Sequence, residues 1–234
     1  MNPQKCTTLH IGKGNPCLVY SLGPFEIPSV QKGEAIRDLG VYFSENLKWD
    51  KHIQNIVTRA RRSSFTIFKS IKSHNANTLV QLFCTFVRPI LEFSSNVFNP
   101  YYAKDIEAIE KVQKQFLTLV FKRCNSGKEP PPYKNLLKIF NTESLERRRQ
   151  KSDFILFHKY MLDIIPLPKQ TAFTCVGSKT RGEKYKFQTT AATRTIRFES
   201  FFVRISRLYT NLPLCIRQLS LKDFVNKIED HLQV

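Results

Sequence analysis

From Thr78 to Phe116 the apolar residues return every three or four positions. Leu79, Leu82, Phe83, Phe86, Val87, Ile90 and Leu91 form one stripe, and Ile106, Ile109, Val112 and Phe116 form a second. Between them lies the turn-like stretch 94–104, SSNVFNPYYAK, so the spacing predicts two helices packed as a hairpin. Asn77 is placed to cap the first helix. Pro89 should kink or end it, because proline removes a backbone donor and its ring clashes one turn back. Upstream, residues 50–72 predict another amphipathic helix, with Ile53, Ile56, Val57, Ala60, Ser64, Ile67, Phe68 and Ile71 on one stripe. Lys51, Arg62 and Lys69 lie nearly opposite that stripe, and Arg59 lies to one side.

Residues 1–48 read differently. The runs 6–11, 17–22, 25–30 and 35–43 are β-prone and separated by glycine and proline, which predicts short strands. Beyond the second long helix, Asn125, Ser126, Gly127 and the prolines 130–132 mark a linker. Further helices are predicted over 133–140 and 142–162, the latter opened by a capping box with Thr142 or Ser144 as the cap. Residues 166–195 are polar, basic and weakly periodic, carrying Lys179, Arg181, Lys184 and Lys186, and read as an extended arm. A helix follows to Leu212, and a last one runs over 221–232 with Leu221, Phe224, Val225, Ile228 and Leu232 in one stripe. The expected fold is α+β, mainly α. Its parts are an N-terminal strand region (1–48), a helical bundle (49–124), a linker (125–132), a helical segment (133–165), a basic irregular arm (166–195) and C-terminal helices (196–234).

Charge narrows the function classes. The 234 residues contain 37 Lys and Arg against 19 Asp and Glu, a formal net charge of +18, and the pI is near 9.8. Such an excess favours a polyanionic partner, because each neutralised phosphate releases counterions. On the first amphipathic helix Arg59, Arg61, Arg62, Lys69 and Lys72 have almost no acidic partner in sequence, which makes them candidates for phosphate contact. Arg147, Arg148, Arg149 and Lys151 open a later helix, where cations oppose the helix dipole; a nucleic-acid phosphate, or acidic neighbours from a part of the protein outside this chain, would relieve that. Glu107 and Glu110 share a helical face with Lys104, Lys111 and Lys114, so a solvated, salt-bridged surface is expected there. The six cysteines include no CxxC pair, and no histidine stands at ligand spacing beside them, so a zinc site is unsupported. No run of about 18 apolar residues suggests a membrane span, and the N-terminus lacks a signal-peptide core, so an intracellular protein, nuclear or cytoplasmic, is expected. The Gly12-Lys13-Gly14 string lacks the Gly-Lys-Ser/Thr and the βαβ setting of a phosphate loop.

Several ordered words resemble the reverse transcriptases of LINE-type, jockey-like non-LTR retrotransposons. Phe86-Val87-Arg88-Pro89-Ile90-Leu91-Glu92-Phe93 is similar to the family's LVRPILEY, Val97-Phe98-Asn99-Pro100 to its VWNP, and Ile109-Glu110-Lys111-Val112-Gln113 to its IEKVQRR. Asn2-Pro3-Gln4-Lys5-Cys6-Thr7-Thr8-Leu9-His10 looks like LNPxKCxxLH. The stretch containing Arg37, Asp38, Leu39, Gly40 and Val41 looks like the KDLGV strand of the primer-grip hairpin. Trp49, His52 and Ile53 resemble the start of the first thumb helix, Ser144 to Arg149 resembles SLEERR, and Arg197 to Pro213 resembles RxxFFxxRxxxxWNxLP. Phe98 and Tyr209 stand where the family usually has tryptophan.

The resemblance implies the end of a palm, a helical thumb and a C-terminal extension. It also implies a partner: an RNA/DNA template-primer duplex gripped through phosphates and 2′-hydroxyls, without base readout. Arg59, Arg62, Lys69, Lys72, Arg147 and Arg148 are the candidate nucleic-acid contacts, and Arg37 to Val41 the primer-grip-like ones. Nucleotidyl transfer needs carboxylates that hold two metal ions about 3.5–4 Å apart. In the family these lie upstream of Met1, and no YxDD string occurs here, so no catalytic residue and no cofactor is expected within the chain. Magnesium would belong to the missing palm, and the missing palm and fingers become further expected partners. The alternatives are a host-co-opted basic module that binds nucleic acid or protein, and a non-functional element fragment.

Overall fold

The computed structural model describes residues 2–12, 14–166, 174–177, 185–188 and 195–232. It is mainly helical, with three separate two-stranded antiparallel sheets, an α+β fold dominated by α. After a 3-10 turn at Pro3–Lys5, β1 (Tyr20–Leu22) pairs with β2 (Phe25–Ile27), and β3 (Ala35–Asp38) pairs with β4 (Val41–Ser44). The run 6–11 is not a strand; it contributes one bridge, Thr8 to Ser29. The run 35–43 is not one strand but a hairpin. Leu39 and Gly40 form its two-residue turn with φ of 45° and 90°, a geometry that suits the right-handed twist of the flanking strands. Glycine also lets the turn lie against Phe93, since a Cβ at position 40 would sit 3.0 Å from that ring.

Helix α1 (Asp50–Ser70) buries Ile53, Ile56, Val57, Ala60 and Ile67, as its periodicity predicts. Arg123 finishes it, donating to the carbonyls of Ile71 and Phe68 at 2.6 and 3.0 Å with its guanidinium over the Phe68 ring. That places a cation on the unpaired acceptors of the helix C-terminus. The cap of α2 (Ala76–Leu82) is Asn75 rather than Asn77; its side chain accepts from the Thr78 amide.

Pro89 does not stop the helix. Phe83–Val87 widens into a π-helical turn, the Arg88 amide reaches back to the Phe83 carbonyl, and α3 (Arg88–Glu92) restarts with proline in its first turn. The wider turn removes the need for the bond that proline cannot make. It also shifts the buried face to every fourth residue, Leu79, Phe83, Val87 and Leu91, and leaves Phe86 56% exposed.

Short α4 (Ser95–Phe98) leads to α5 (Ala103–Cys124), which buries Ile109, Val112, Phe116, Leu117 and Val120 against α1 and α2. Residues 125–132 form a loop, and α6 (Tyr133–Ile139) and α7 (Leu145–Met161) follow. The loop does not divide two cores, because Leu136 and Leu145 belong to the same cluster as α1 to α5. The division falls inside α7, whose Phe154 and Phe157 enter a second cluster with Ile205, Tyr209, Leu212, Ile216, Phe224 and Ile228.

Within the expected irregular arm, β5 (Thr174–Gly177) and β6 (Tyr185–Gln188) form an antiparallel pair; Lys179, Arg181 and Lys184 lie outside the described residues. The chain ends with α8 (Thr195–Phe198), α9 (Phe201–Thr210), α10 (Leu214–Arg217) and α11 (Leu221–His231), the last capped by Ser220. At the centre of this second core His158 stacks on Phe224 at 3.7 Å. Its Nε2–H donates to the Leu219 carbonyl at 3.1 Å, and Nδ1 lies 2.8 Å from the Tyr209 hydroxyl.

Candidate nucleic-acid interface

The outward face of α1 carries the first group of candidate residues. Arg59, Arg61, Arg62 and Lys69 are exposed, as is Lys72 just past the helix end, and none of the five makes an ion pair among the described residues. Asp50 is the sole acid on the helix, and it is taken by Lys104 of α5. Phe65, 67% exposed, stands among these cations.

The β3–β4 hairpin docks on one end of this helix. The Tyr42 amide donates to His52 Nδ1 at 3.4 Å, the Lys51 ammonium donates to the Gly33 carbonyl, and Phe43 packs edge-on against Trp49. Arg37 and Asp38 are exposed at the end of β3, Leu39 projects from the turn at 88% exposure, and Val41 is buried. The primer-grip-like residues and the α1 cations therefore lie on one continuous unit, with Arg59 close enough to His52 to disfavour a second positive charge there.

His52 is 1% exposed and packs against Phe98 at 4.3 Å. Burial, with the Arg59 charge added, pushes its pKa down to about 4. Because the folded value lies below the ordinary 6.5, the unfolded chain takes up the proton first as pH falls. Stability should thus be full above pH 7 and decline through about pH 6.5, by about 2 kcal/mol at pH 5. His158, whose pKa burial also lowers, acts in the same direction. Urea unfolding at the two pH values checks this, and His52→Gln is expected to flatten the dependence.

The second group behaves otherwise. Arg148 holds Glu92 through two bonds, Nε to Oε1 at 2.5 Å and Nη2 to Oε2 at 3.1 Å. Arg147 lies 3.3 Å from Glu143 and donates to the Glu229 carbonyl at 3.0 Å, while Lys151 pairs with Glu229. The start of α7 is itself capped by an acid. Glu110 accepts from the Leu145 and Glu146 amides at 3.1 and 3.3 Å and from the Tyr133 hydroxyl at 2.6 Å. Glu110 is therefore not part of a solvated face. The anion that a basic helix start demands comes from Glu92, Glu110, Glu143 and Glu229 of the same chain, which the sequence reading did not anticipate. Arg149, 2% exposed, has no hydrogen-bond partner for its guanidinium among the described residues and sits in the field of Glu110, Glu146, Glu92 and Asp153. Its pKa is lowered, chiefly by burial.

One junction that the sequence reading missed ties the two cores. Asp153, 2% exposed, accepts from Asn96 at 2.8 Å and Asn99 at 2.9 Å, on and just beyond α4, and from Arg204 of α9 at 2.7 Å. Burial raises its pKa, and the guanidinium and the two amides oppose that rise. Three converging donors more than 50 residues away leave no local signal in sequence.

Among the described residues no three His, Cys, Asp or Glu side chains group closely enough to hold a metal ion, and Asp38 stands alone at its hairpin. No helix among them is long and apolar enough to cross a membrane.

Comparison with known proteins adds one relative. An uncharacterized protein of Caenorhabditis elegans is 23% identical over 123 residues, which are 53% of this chain and 61% of that protein. The chain thus covers less than two-thirds of that relative's length. No protein-family profile matches the chain, and no solved structure matches it.

Proposed function

We propose that this chain is the end-of-palm, thumb and C-terminal part of a LINE-type, jockey-like non-LTR retrotransposon reverse transcriptase. Its role on this reading is to hold an RNA/DNA template-primer duplex, not to transfer nucleotides. The observation that carries the reading is the contrast between the two basic groups. Arg147, Arg148 and Lys151 of α7 are spent on internal carboxylates, whereas Arg59, Arg61, Arg62, Lys69 and Lys72 face outward without an acidic partner among the described residues. Unpaired cations aligned on one rigid helix suit a phosphate backbone, which offers charge at regular spacing and needs no base readout.

The words that carry the family resemblance also meet one another in space. Glu92 of the VRPILE word clamps Arg148 of the LERRR word, Glu110 and Gln113 of the IEKVQ word hold the start of the same helix, and Asn99 of the VFNP word shares Asp153 with Arg204. Words that close contacts with each other belong to one inherited fold more readily than to chance likeness. The hairpin of Arg37 to Val41 sits beside α1, where a primer-grip element would lie against the bound duplex.

The test is binding of the chain to an RNA/DNA hybrid and to duplex DNA across a salt series, with primer extension as the control. Salt-dependent binding that prefers the hybrid, without extension, is expected. An absence of binding even at about 50 mM salt would overturn the reading, since phosphate contacts are strongest there.

A further inference from the structure

Phe65 does nothing for the fold that the described residues reveal. The apolar stripe of α1 faces the other way, through Ile53, Ile56, Val57, Ala60 and Ile67, and Phe65 leaves 67% of its surface in solvent. It has no ring contact with another described residue, unlike Phe68 three positions on, which packs against Phe116 at 4.8 Å. An isolated exposed apolar residue is ordinary on a protein surface. The neighbours set this one apart. Arg61 and Arg62 precede it by four and three residues, and Lys69 follows by four, so all three flank the ring on the surface of one helix. All three are exposed and none is paired with an acid among the described residues.

A planar aromatic ring framed by cations matches one ligand chemistry closely. It suits a nucleotide whose phosphates lie on the cations while its base stacks on the ring, an arrangement that tolerates any base because every base has a π-face. Within a continuous duplex the faces of the bases are covered by their neighbours. The accessible face belongs to the first unpaired nucleotide beyond the paired region.

We propose that Phe65 stacks on the first unpaired base at the end of a bound hybrid, so that the α1 face recognises a junction between duplex and single strand. The inference rests on the reading of α1 as a nucleic-acid surface and adds to it a preference for the junction. Cations set the affinity, and the ring sets where along the nucleic acid the helix settles. Because Phe65 is exposed, its replacement leaves the core intact.

The experiment compares binding of the purified chain to a blunt RNA/DNA hybrid and to the same hybrid with a short single-stranded template overhang, at one salt concentration and across a series. The chain should bind the overhang form about tenfold more tightly, the scale of one base–aromatic stack. Phe65→Ala should erase that difference while leaving the blunt-hybrid affinity and the salt slope unchanged, and Phe65→Trp should restore it, with its indole fluorescence quenched on binding. Equal affinity of the natural chain for both forms, or a preference that survives Phe65→Ala, would overturn the junction proposal and leave α1 as a plain phosphate-binding face. Failure to bind either form would overturn both.

Discussion

Asp153→Ala is expected to lower the stability of the chain by about 3–5 kcal/mol, among the larger single-residue effects available to it. The reason is what the substitution leaves behind. Arg204 has a side chain only 12% exposed and would keep its charge with a single bond remaining, to the Glu199 carbonyl. Asn96 and Asn99 would each lose the acceptor of an amide hydrogen, and unmet buried donors cost more than the bonds they once made contributed. The damage should fall unevenly. Asp153 joins α4 of the first core to α9 of the second, so amide exchange of α9 and α11 should quicken more than that of α1 and α5. Denaturant midpoints and hydrogen exchange read these two effects. Removing Arg204 as well, as Asp153→Leu with Arg204→Met, should recover much of the loss, because an apolar pair leaves no orphaned charge. A loss under about 1 kcal/mol for Asp153→Ala would mean that the junction does not carry the contact between cores.

The parts of this molecule that the sequence made legible are those whose partners are near in the chain. The stripe of α1 follows from Ile53 to Ile67, and that of α11 from Phe224 to Ile228, because a helix must bury one face wherever it packs. The hairpin at residues 35–44 was obscured by chemistry that does not advertise a turn. Leucine at the first turn position is unfavourable at φ 45°, where asparagine or aspartate would have signalled the reversal. The π-helical turn before Pro89 was hidden because its cause, a proline accommodated without a break, admits a kink or a stop equally well from sequence. Charge was the least legible property. Arg59 and Arg148 look alike on a helical wheel, yet one pairs with no acid among the described residues and the other holds a carboxylate 56 positions away. Burial and pairing are tertiary facts, and they alone separate a basic residue that can meet a phosphate from one that holds the fold.

That separation yields the largest expected effect on binding. Arg59, Arg62 and Lys69 changed together to glutamine should weaken hybrid binding on the order of a hundredfold at low salt, and the slope of log affinity against log salt should fall by about 3. Each lost phosphate contact removes roughly one released counterion, so the slope counts contacts in a way that affinity alone cannot. The fold should be untouched, since all three side chains are exposed and pair with no acid among the described residues. Arg148→Gln supplies the contrast with a similar change of charge per residue. Its partner Glu92 has a side chain 22% exposed, so the loss should appear as a lower unfolding midpoint while the salt slope stays as it was. If Arg148→Gln were instead to reduce the slope and the α1 triple variant were not, the phosphates would lie along α7. Glu92, Glu143 and Glu229 would then have to release their cations when nucleic acid binds. Such an exchange costs internal contacts for every phosphate gained, which is why the unpaired face of α1 is the favoured surface.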